Sequence, residues 1–372
     1  MIAQKKKIGI VCTSPGFGGL EMYTLELAQA LKQLGWEVKL LLNEKSNLYG
    51  HSRELFDAVT IQRYAKEKNT ASVIRKWNKT ENCSLLFTPY NKDIKPLAIY
   101  KRFSGKNIRI VYQQHMKVGV RKRDFIHRLR YNMLDLWITP LEYLRQETLE
   151  KTTIPDRKIR IVPVGLELDK FQNVDISQSS ARTQLELPAD AFIIGVLGRV
   201  DPKKGQDFLI KAVASLKSKS AVHLLIMGDV TAYEGNDWLQ YLHQLVKENG
   251  LEHRVHFRSY QQEVLLFYKA IDVFAMSSHG ETYGLVTLEA MYCGRPVIGV
   301  NTDGTKALLE GGKFGWLYNL DDLESFSRQL SYIMQQPEET KEKIKQAKQH
   351  VANQYQFSYT ASAMDAILSE LL

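Results

Sequence analysis

Apolar and polar positions along the chain alternate between two rhythms. Lys7-Ile-Gly-Ile-Val-Cys12 is a short apolar run that ends in the turn-forming SPGFGG, and the apolar positions after it (Met22, Leu25, Leu27, Ala28, Leu31, Leu34) recur at helical spacing. Gly35 stops that helix, and Val38 to Leu42 resume a strand, which makes a β-α-β unit. Runs at 84–88 and 108–112 repeat the strand signal, with helix-compatible sequence between them. A second series comprises 192–198, 222–227, 255–257, 273–276 and 296–300. Strands alternating with helices predict an α/β protein of two Rossmann-like doubly wound domains, each a parallel sheet covered on both faces. Ligands of such sheets bind beyond the carboxyl ends of the strands, so two facing sheets predict a cleft.

Ile161 to Phe171, followed by a Ser/Gln-rich stretch to Ser180, reads as the passage between the domains. The expected division is therefore 1–165 for the first domain and 166–356 for the second. In the last stretch, Met364, Ile367, Leu368 and Leu371 fall on one face of an amphipathic helix, expected to span about 357–372. No internal repeat of solenoid length occurs.

The length of 372 residues fits two cores better than one, and 44% hydrophobic with 24% charged residues is ordinary for a globular protein. The net charge of +9 hides an asymmetry. Residues 1–165 carry 30 Lys and Arg against 15 Asp and Glu, whereas residues 166–372 carry 20 against 26. A basic first half suits an anionic partner, and it equally suits a solvated Lys-rich surface. Cys12, Cys83 and Cys293 are too scattered for a disulfide framework or a zinc site, which points to a reducing compartment and to small buried apolar roles. The apolar run near the N-terminus is shorter than that of a signal peptide, and no run approaches a membrane span. The expected location is the cytoplasm, with any membrane contact peripheral at its inner face.

Three motifs carry chemistry. Gly16-Phe-Gly-Gly-Leu-Glu21 follows the first strand but departs from a dinucleotide fingerprint at Glu21, and Leu42-Asn43 lacks the acid that would bind a ribose. Gly18 and Gly19 can still offer backbone N–H groups to a phosphate or a sugar hydroxyl, or simply form a tight turn. Gly198-Arg-Val-Asp-Pro-Lys-Lys-Gly205 sets Arg199 just past a strand and Lys204 at the start of the next helix. Arg can clamp phosphate oxygens while Lys supplies a point charge; a surface ion pair is the competing account. Finally, in Glu281-Thr-Tyr-Gly-Leu-Val-Thr-Leu-Glu289 a helix starting near Gly284 leaves the N–H groups of Gly284, Leu285 and Val286 unpaired and mildly positive, a place for phosphate. Two acids beside phosphates would be repelled, but both can grip sugar hydroxyls at the two ends of a nucleotide sugar. Alternatively, Glu281 caps the helix and Glu289 lies on its surface. No D-x-D and no metal-ligand cluster occurs, so Arg199, Lys204 and the helix terminus would have to neutralise a diphosphate without a divalent cation or other cofactor.

Taken together, these motifs resemble glycosyltransferase family 4, the glycosyl transferases group 1, which are retaining enzymes of the two-domain GT-B fold. The resemblance covers nearly the whole chain. It is strongest over 278–298, with its E-x7-E spacing and trailing G-R-P-V-I, and is supported by Gly18-Gly-Leu-Glu21, Ile161-Val-Pro-Val-Gly165, Gly198-Arg199 with Lys204-Gly205, and Ile226-Met-Gly-Asp229. It implies that Glu281 contacts the transferred sugar, Glu289 the ribose, and Arg199 and Lys204 the diphosphate, with help from the backbone of Gly284 to Val286. It also implies that His115, in Tyr112-Gln-Gln-His-Met-Lys, lies by the sugar, and that the final helix crosses back onto the first domain. Asp303 and Ala307 depart from the family pattern, standing where a glycine and an acid are usual, and Val164 replaces a common asparagine.

The resemblance implies a retaining, metal-independent hexosyltransferase that takes a UDP- or GDP-sugar and glycosylates a saccharide or lipid-linked acceptor in cell-surface polysaccharide, lipopolysaccharide or glycolipid synthesis. The basic residues Arg121, Lys122, Arg123, Arg128 and Arg130, with His127, lie beside Phe125, Ile126 and Leu129, as in a helix that meets an anionic membrane surface or a phosphorylated acceptor; a plain solvated helix is the alternative. A nucleotide-sugar epimerase of the same architecture is a second functional reading. A nucleic-acid-binding protein is a third, although no interleaved aromatic and basic motif is present and no nucleic-acid partner is expected.

Overall fold

A computed structural model describes residues 6–16, 18–57, 61–64, 69–172, 176–216, 222–230, 236–261 and 263–372. Phe17 of the first glycine loop and part of the Ser/Gln-rich passage lie outside the described residues. The chain divides into two compact units, one of residues 1–164 with 358–372 and the other of residues 165–357.

The first unit is built on strands β1 (Lys7–Cys12), β2 (Glu37–Asn43), β3 (Ile61–Tyr64), β4 (Leu85–Thr88), β5 (Arg109–Gln113), β6 (Leu136–Thr139) and β7 (Ile159–Ile161). They form one parallel sheet in the order β3-β2-β1-β4-β5-β6-β7. Order reverses beside β1, where the chain crosses from β3 back to β4, and this switch point lies next to the glycine loop. Continuous apolar stretches such as Ile10, Val11 and Cys12 are fully buried because helices cover both faces. The C-terminal helix Phe357–Ser369 is anchored within this unit. Lys6 Nζ and Trp36 Nε1 donate to Asp365 Oδ1 at 2.8 and 2.7 Å, and Thr360 Oγ1 donates to the Pro163 carbonyl at 2.8 Å.

The second unit has β8 (Phe192–Leu197), β9 (Val222–Met227), β10 (Val255–Arg258), β11 (Val273–Met276), β12 (Val297–Val300) and β13 (Trp316–Tyr318). All pairs are parallel, in the order β10-β9-β8-β11-β12-β13. Its core packs Phe208 between Tyr318, stacked at 5.2 Å, and Phe326, edge-on at 5.7 Å. Both units are thus doubly wound α/β sheets, as the alternation of patterns implies.

Strands β3, β6, β7 and β13 go unnoticed in the hydrophobic pattern; they are three or four residues long, and β3, β7 and β13 are edges. Cys12 and Cys83 are buried, while Cys293 is only half-buried; burial pushes the thiols of Cys83 and Cys293 up to about 12. Among the described residues, no helix is long and apolar enough to cross a membrane.

Candidate nucleotide-sugar site

In the second unit, the loops after β8 and β11 are stitched together by their own backbones. The 3-10 turn Pro202–Lys204 is capped by Asp201, whose Oδ1 accepts from Lys203 N–H at 2.8 Å, and it delivers the chain to the helix Gln206–Ser215. Lys204 therefore sits in this turn, just ahead of the helix rather than in it. Gly205 joins the two at φ +66°, and a Cβ there would lie 2.3 Å from the Ser277 carbonyl oxygen, so only glycine fits. Ser277 Oγ donates to the Lys204 carbonyl at 2.7 Å, and His279 N–H donates to the Lys203 carbonyl at 2.7 Å. Residues past β8 and past β11 are locked into one surface at the carboxyl edge of the sheet.

On that surface Lys204 Nζ donates to Glu281 Oε2 at 2.8 Å, with both side chains largely shielded from solvent. Glu281 does not cap the helix that follows, because no side chain caps it. Instead Gly284, in the left-handed conformation at φ +86°, starts the helix Leu285–Tyr292, whose first turn has no side-chain cap although Thr287 N–H donates back to the Gly284 carbonyl at 2.8 Å. Leu285 and Val286 in this turn are half-buried. Thr287 Oγ1, one turn on, is buried with no hydrogen-bond partner among the described residues.

Glu289 does not lie on a free helix surface either. Tyr268, fully buried, donates its hydroxyl to Glu289 Oε2 at 2.8 Å and also reaches the Val286 carbonyl at 3.2 Å. The adjoining carboxylate and burial both raise the phenol's pKa, so it stays a donor. Sequence reasoning missed Tyr268, which sits in the uniform apolar run Val264–Ala270 and carries no local signal. Gln206 was also missed: it is buried and holds the Arg199 carbonyl at 2.8 Å. Arg199 itself is more than half exposed and reaches Asp201 at 3.8 Å.

The loop after β12 closes the surface. Gly304 N–H donates to the Glu281 carbonyl at 3.0 Å. Asp303 occupies the left-handed region at φ +52°, the conformation that the glycine usual at this position would adopt without strain. The departure from the family pattern thus alters the side chain but keeps a glycine-like backbone.

The remaining predicted residues lie in the first unit. Gly18 precedes the helix Gly19–Gln33 in extended backbone, and no side chain caps that helix. A Cβ on Gly19 would meet nothing within 4 Å, and one on Gly18 would meet only Glu21 Oε2, at 3.7 Å. Packing therefore does not demand these glycines. Glu21 is buried and accepts from Ser14 Oγ. His115 follows β5, its ring 5.1 Å from that of Tyr23; its Nε2 is shielded and unpaired among the described residues, and burial lowers its pKa to about 4. The imidazole is neutral at pH 7. Among the described residues, no group of three or more His, Cys, Asp or Glu is placed to hold a metal ion.

Two doubly wound parallel sheets with this loop surface define the GT-B class. The solved Anabaena Alr3699/HepE, in complex with UDP and glucose, superimposes with a TM-score of 0.85 at 19% identity, covering 98% of this chain and 100% of that one, a likeness of fold. The family models for glycosyl transferases group 1 and glycosyltransferase family 4 match residues 177–350 and 17–170. The chain belongs to glycosyltransferase family 4, of the glycosyl transferases group 1. It is similar to D-inositol 3-phosphate glycosyltransferase of Corynebacterium jeikeium, 31% identical over 54% of this chain and 49% of that protein. It is also similar to the lipopolysaccharide core biosynthesis glycosyltransferase LpsE of Rhizobium meliloti, 34% identical over 48% of each. The chain spans about half the length of the curated relatives it matches.

Proposed function

We propose that this protein is a hexosyltransferase that moves a sugar from a nucleotide diphosphate to an acceptor hydroxyl, with retention and without a metal cofactor. The observation that carries this reading is the Lys204–Glu281 pair beside a helix start at Gly284 that no side chain caps, with Glu289, eight residues after Glu281, fixed by Tyr268. A diphosphate has the charge to draw Lys204 from Glu281 and to accept from the amides of Leu285 and Val286. Arg199 adds a mobile guanidinium. Glu281, released from the lysine, is then placed to accept from hydroxyls of the sugar, and Glu289 from those of the ribose.

In the reaction, the acceptor oxygen forms its bond to the anomeric carbon on the face from which the phosphate oxygen departs. The bond from that carbon to the phosphate oxygen breaks, and the acceptor's proton passes to the departing phosphate. Attack and departure on one face retain the configuration. Lys204, Arg199 and the helix terminus stabilise the charge that accumulates on the diphosphate, the work a divalent cation does elsewhere. His115, neutral, is suited to hydrogen-bond a sugar hydroxyl.

UDP is favoured over GDP because HepE, the structural neighbour, carries UDP and glucose. The names of the relatives, one a D-inositol 3-phosphate glycosyltransferase and one a lipopolysaccharide core biosynthesis glycosyltransferase, favour a phosphorylated polyol or a lipopolysaccharide core saccharide as acceptor. The test is a panel of UDP- and GDP-sugars scored for thermal stabilisation and slow hydrolysis. A single stabilising sugar whose effect disappears in Lys204→Ala with Arg199→Ala is the expected result, and a panel with no stabilising member rejects the reading. Product analysis of enzyme with donor alone separates transfer from epimerisation.

A further inference from the structure

The first unit contains a cavity of 180 Å3 beneath the 116–122 segment, far larger than the ~15 Å3 that admits one water. Its basic lining comes from Lys92, Lys117, Lys122, His127 and Arg130, and no Asp or Glu lines it. The nearby acids are committed elsewhere, and Asp93, between the lining residues Lys92 and Ile94, accepts from the Thr13 N–H and hydroxyl. Asp124 accepts from the N–H groups of Ile126 and His127 and pairs with the His127 ring, while Glu147 accepts from Val118 N–H and pairs with Lys151. Lys122 and Arg130 are half-buried, and neither makes an ion pair with a described residue. Half-buried cations without a counter-charge are partly desolvated and free to meet a negative ligand, so this lining suits an anion.

The cavity floor adds neutral donors. Tyr112, Tyr131 and Trp137 pack edge-on, with Tyr112 and Tyr131 at 4.7 and 5.5 Å from the Trp137 ring, and all three are at least nine-tenths buried. Trp137 Nε1 is used by Gln114 Oε1 at 3.0 Å, but neither tyrosine hydroxyl bonds to another described residue. Two unpartnered phenol hydroxyls on buried residues and a lining of basic side chains match the charge and the several acceptor oxygens of a phosphomonoester. Exposed apolar side chains lie beside this lining in sequence. Met116, which lines the cavity, and the nearby Val120, Phe125, Ile126 and Leu129 are all at least half exposed, a combination of basic and apolar groups suited to a lipid interface.

We propose that this cavity binds the phosphomonoester headgroup of a membrane lipid, with the apolar rim resting among the acyl chains. The site lies within the first unit and does not depend on the sugar-transfer reading. The test is flotation of the full chain with phosphatidylcholine vesicles containing either phosphatidic acid or phosphatidylserine at matched surface charge, together with NMR titration of glycerol 3-phosphate. Tyr112→Phe with Tyr131→Phe leaves net charge unchanged, and it should weaken binding to phosphatidic acid about tenfold while sparing phosphatidylserine. Phe125→Ala with Ile126→Ala should abolish flotation yet leave glycerol 3-phosphate binding intact. A tyrosine double variant that melts like the parent and binds both vesicles equally well overturns the pocket. Binding of glycerol 3-phosphate without any flotation overturns the lipid source.

Discussion

Lys204 and Glu281, 77 residues apart in sequence, share a 2.8 Å hydrogen bond in a shielded position at the carboxyl edge of the second sheet. The pair sets up a competition. Each group is also the one proposed to meet the donor, the lysine its diphosphate and the glutamate its sugar, so donor binding must exchange one partner for another.

This exchange predicts opposite effects at its two ends. Lys204→Ala should weaken UDP about ten- to a hundredfold, the worth of one charge-assisted contact of about 1.5–3 kcal/mol. Glu281→Gln removes the competitor, so UDP should bind as well as or better than before while turnover falls. Isothermal calorimetry with UDP, alongside rates with the sugar donor, reads both; a Glu281→Gln protein that binds UDP much more weakly would contradict the exchange.

Tyr268 orients Glu289 from inside the core, so its effect should be felt at the ribose. Tyr268→Phe should cost about 1 kcal/mol of stability, the net worth of one hydrogen bond. It should also raise the donor KM several-fold with little change in kcat. The same variant should discriminate less between UDP and its 2′,3′-dideoxy analogue. A fall in kcat at unchanged KM would mean that Glu289 acts on the transferred sugar instead.

How much of this was legible in the sequence depended on whether a feature is local. The apolar run Phe192–Leu197 and the helical spacing after Gly18 are local patterns, and both elements form. Trp316–Tyr318 and Ile159–Ile161 are too short to show a period, and they become strands because a neighbouring edge pairs with them. The spacing of Glu281 to Glu289 around Gly284 could be read directly. That Glu281 faces Lys204 and that Tyr268 faces Glu289 could not, since the first contact is made across loops whose approach is set by Gly205, Ser277 and Gly304, and the second between two helices whose packing no local pattern records.

Asp303 offers a measure of backbone strain. An L-residue in the left-handed region costs about 1 kcal/mol relative to glycine. Asp303→Gly and Asp303→Ala both delete the side chain and differ only in that backbone term. The glycine variant should be the more stable of the two by about 1 kcal/mol in urea denaturation. Equal stabilities would mean that the loop relaxes out of the left-handed conformation.

Asp93, buried, and His115, half-buried with a shielded Nε2, should oppose each other as pH falls. His115 has its pKa lowered to about 4 by burial, from an unfolded value of about 6.5. The folded state prefers it neutral, so its contribution is complete above pH 6.5 and is lost as pH falls towards 4, up to about 3 kcal/mol for a shift of this size. Asp93 behaves in the opposite sense. Burial raises its pKa to about 7, against hydrogen bonds from the Thr13 N–H and hydroxyl that favour the carboxylate. Its folded state gains a proton that the unfolded state lacks between about pH 7 and 4, so stability rises as pH falls through that window. The two slopes largely cancel in the native chain. Asp93→Asn should expose the histidine term and make the protein lose stability from pH 6.5 to 4, whereas His115→Gln should leave the aspartate term and make stability rise as pH falls from 7 to 4. Urea denaturation across pH 4 to 7.5 measures both, and parallel profiles for the parent and the two variants would show that neither group titrates with a shifted pKa.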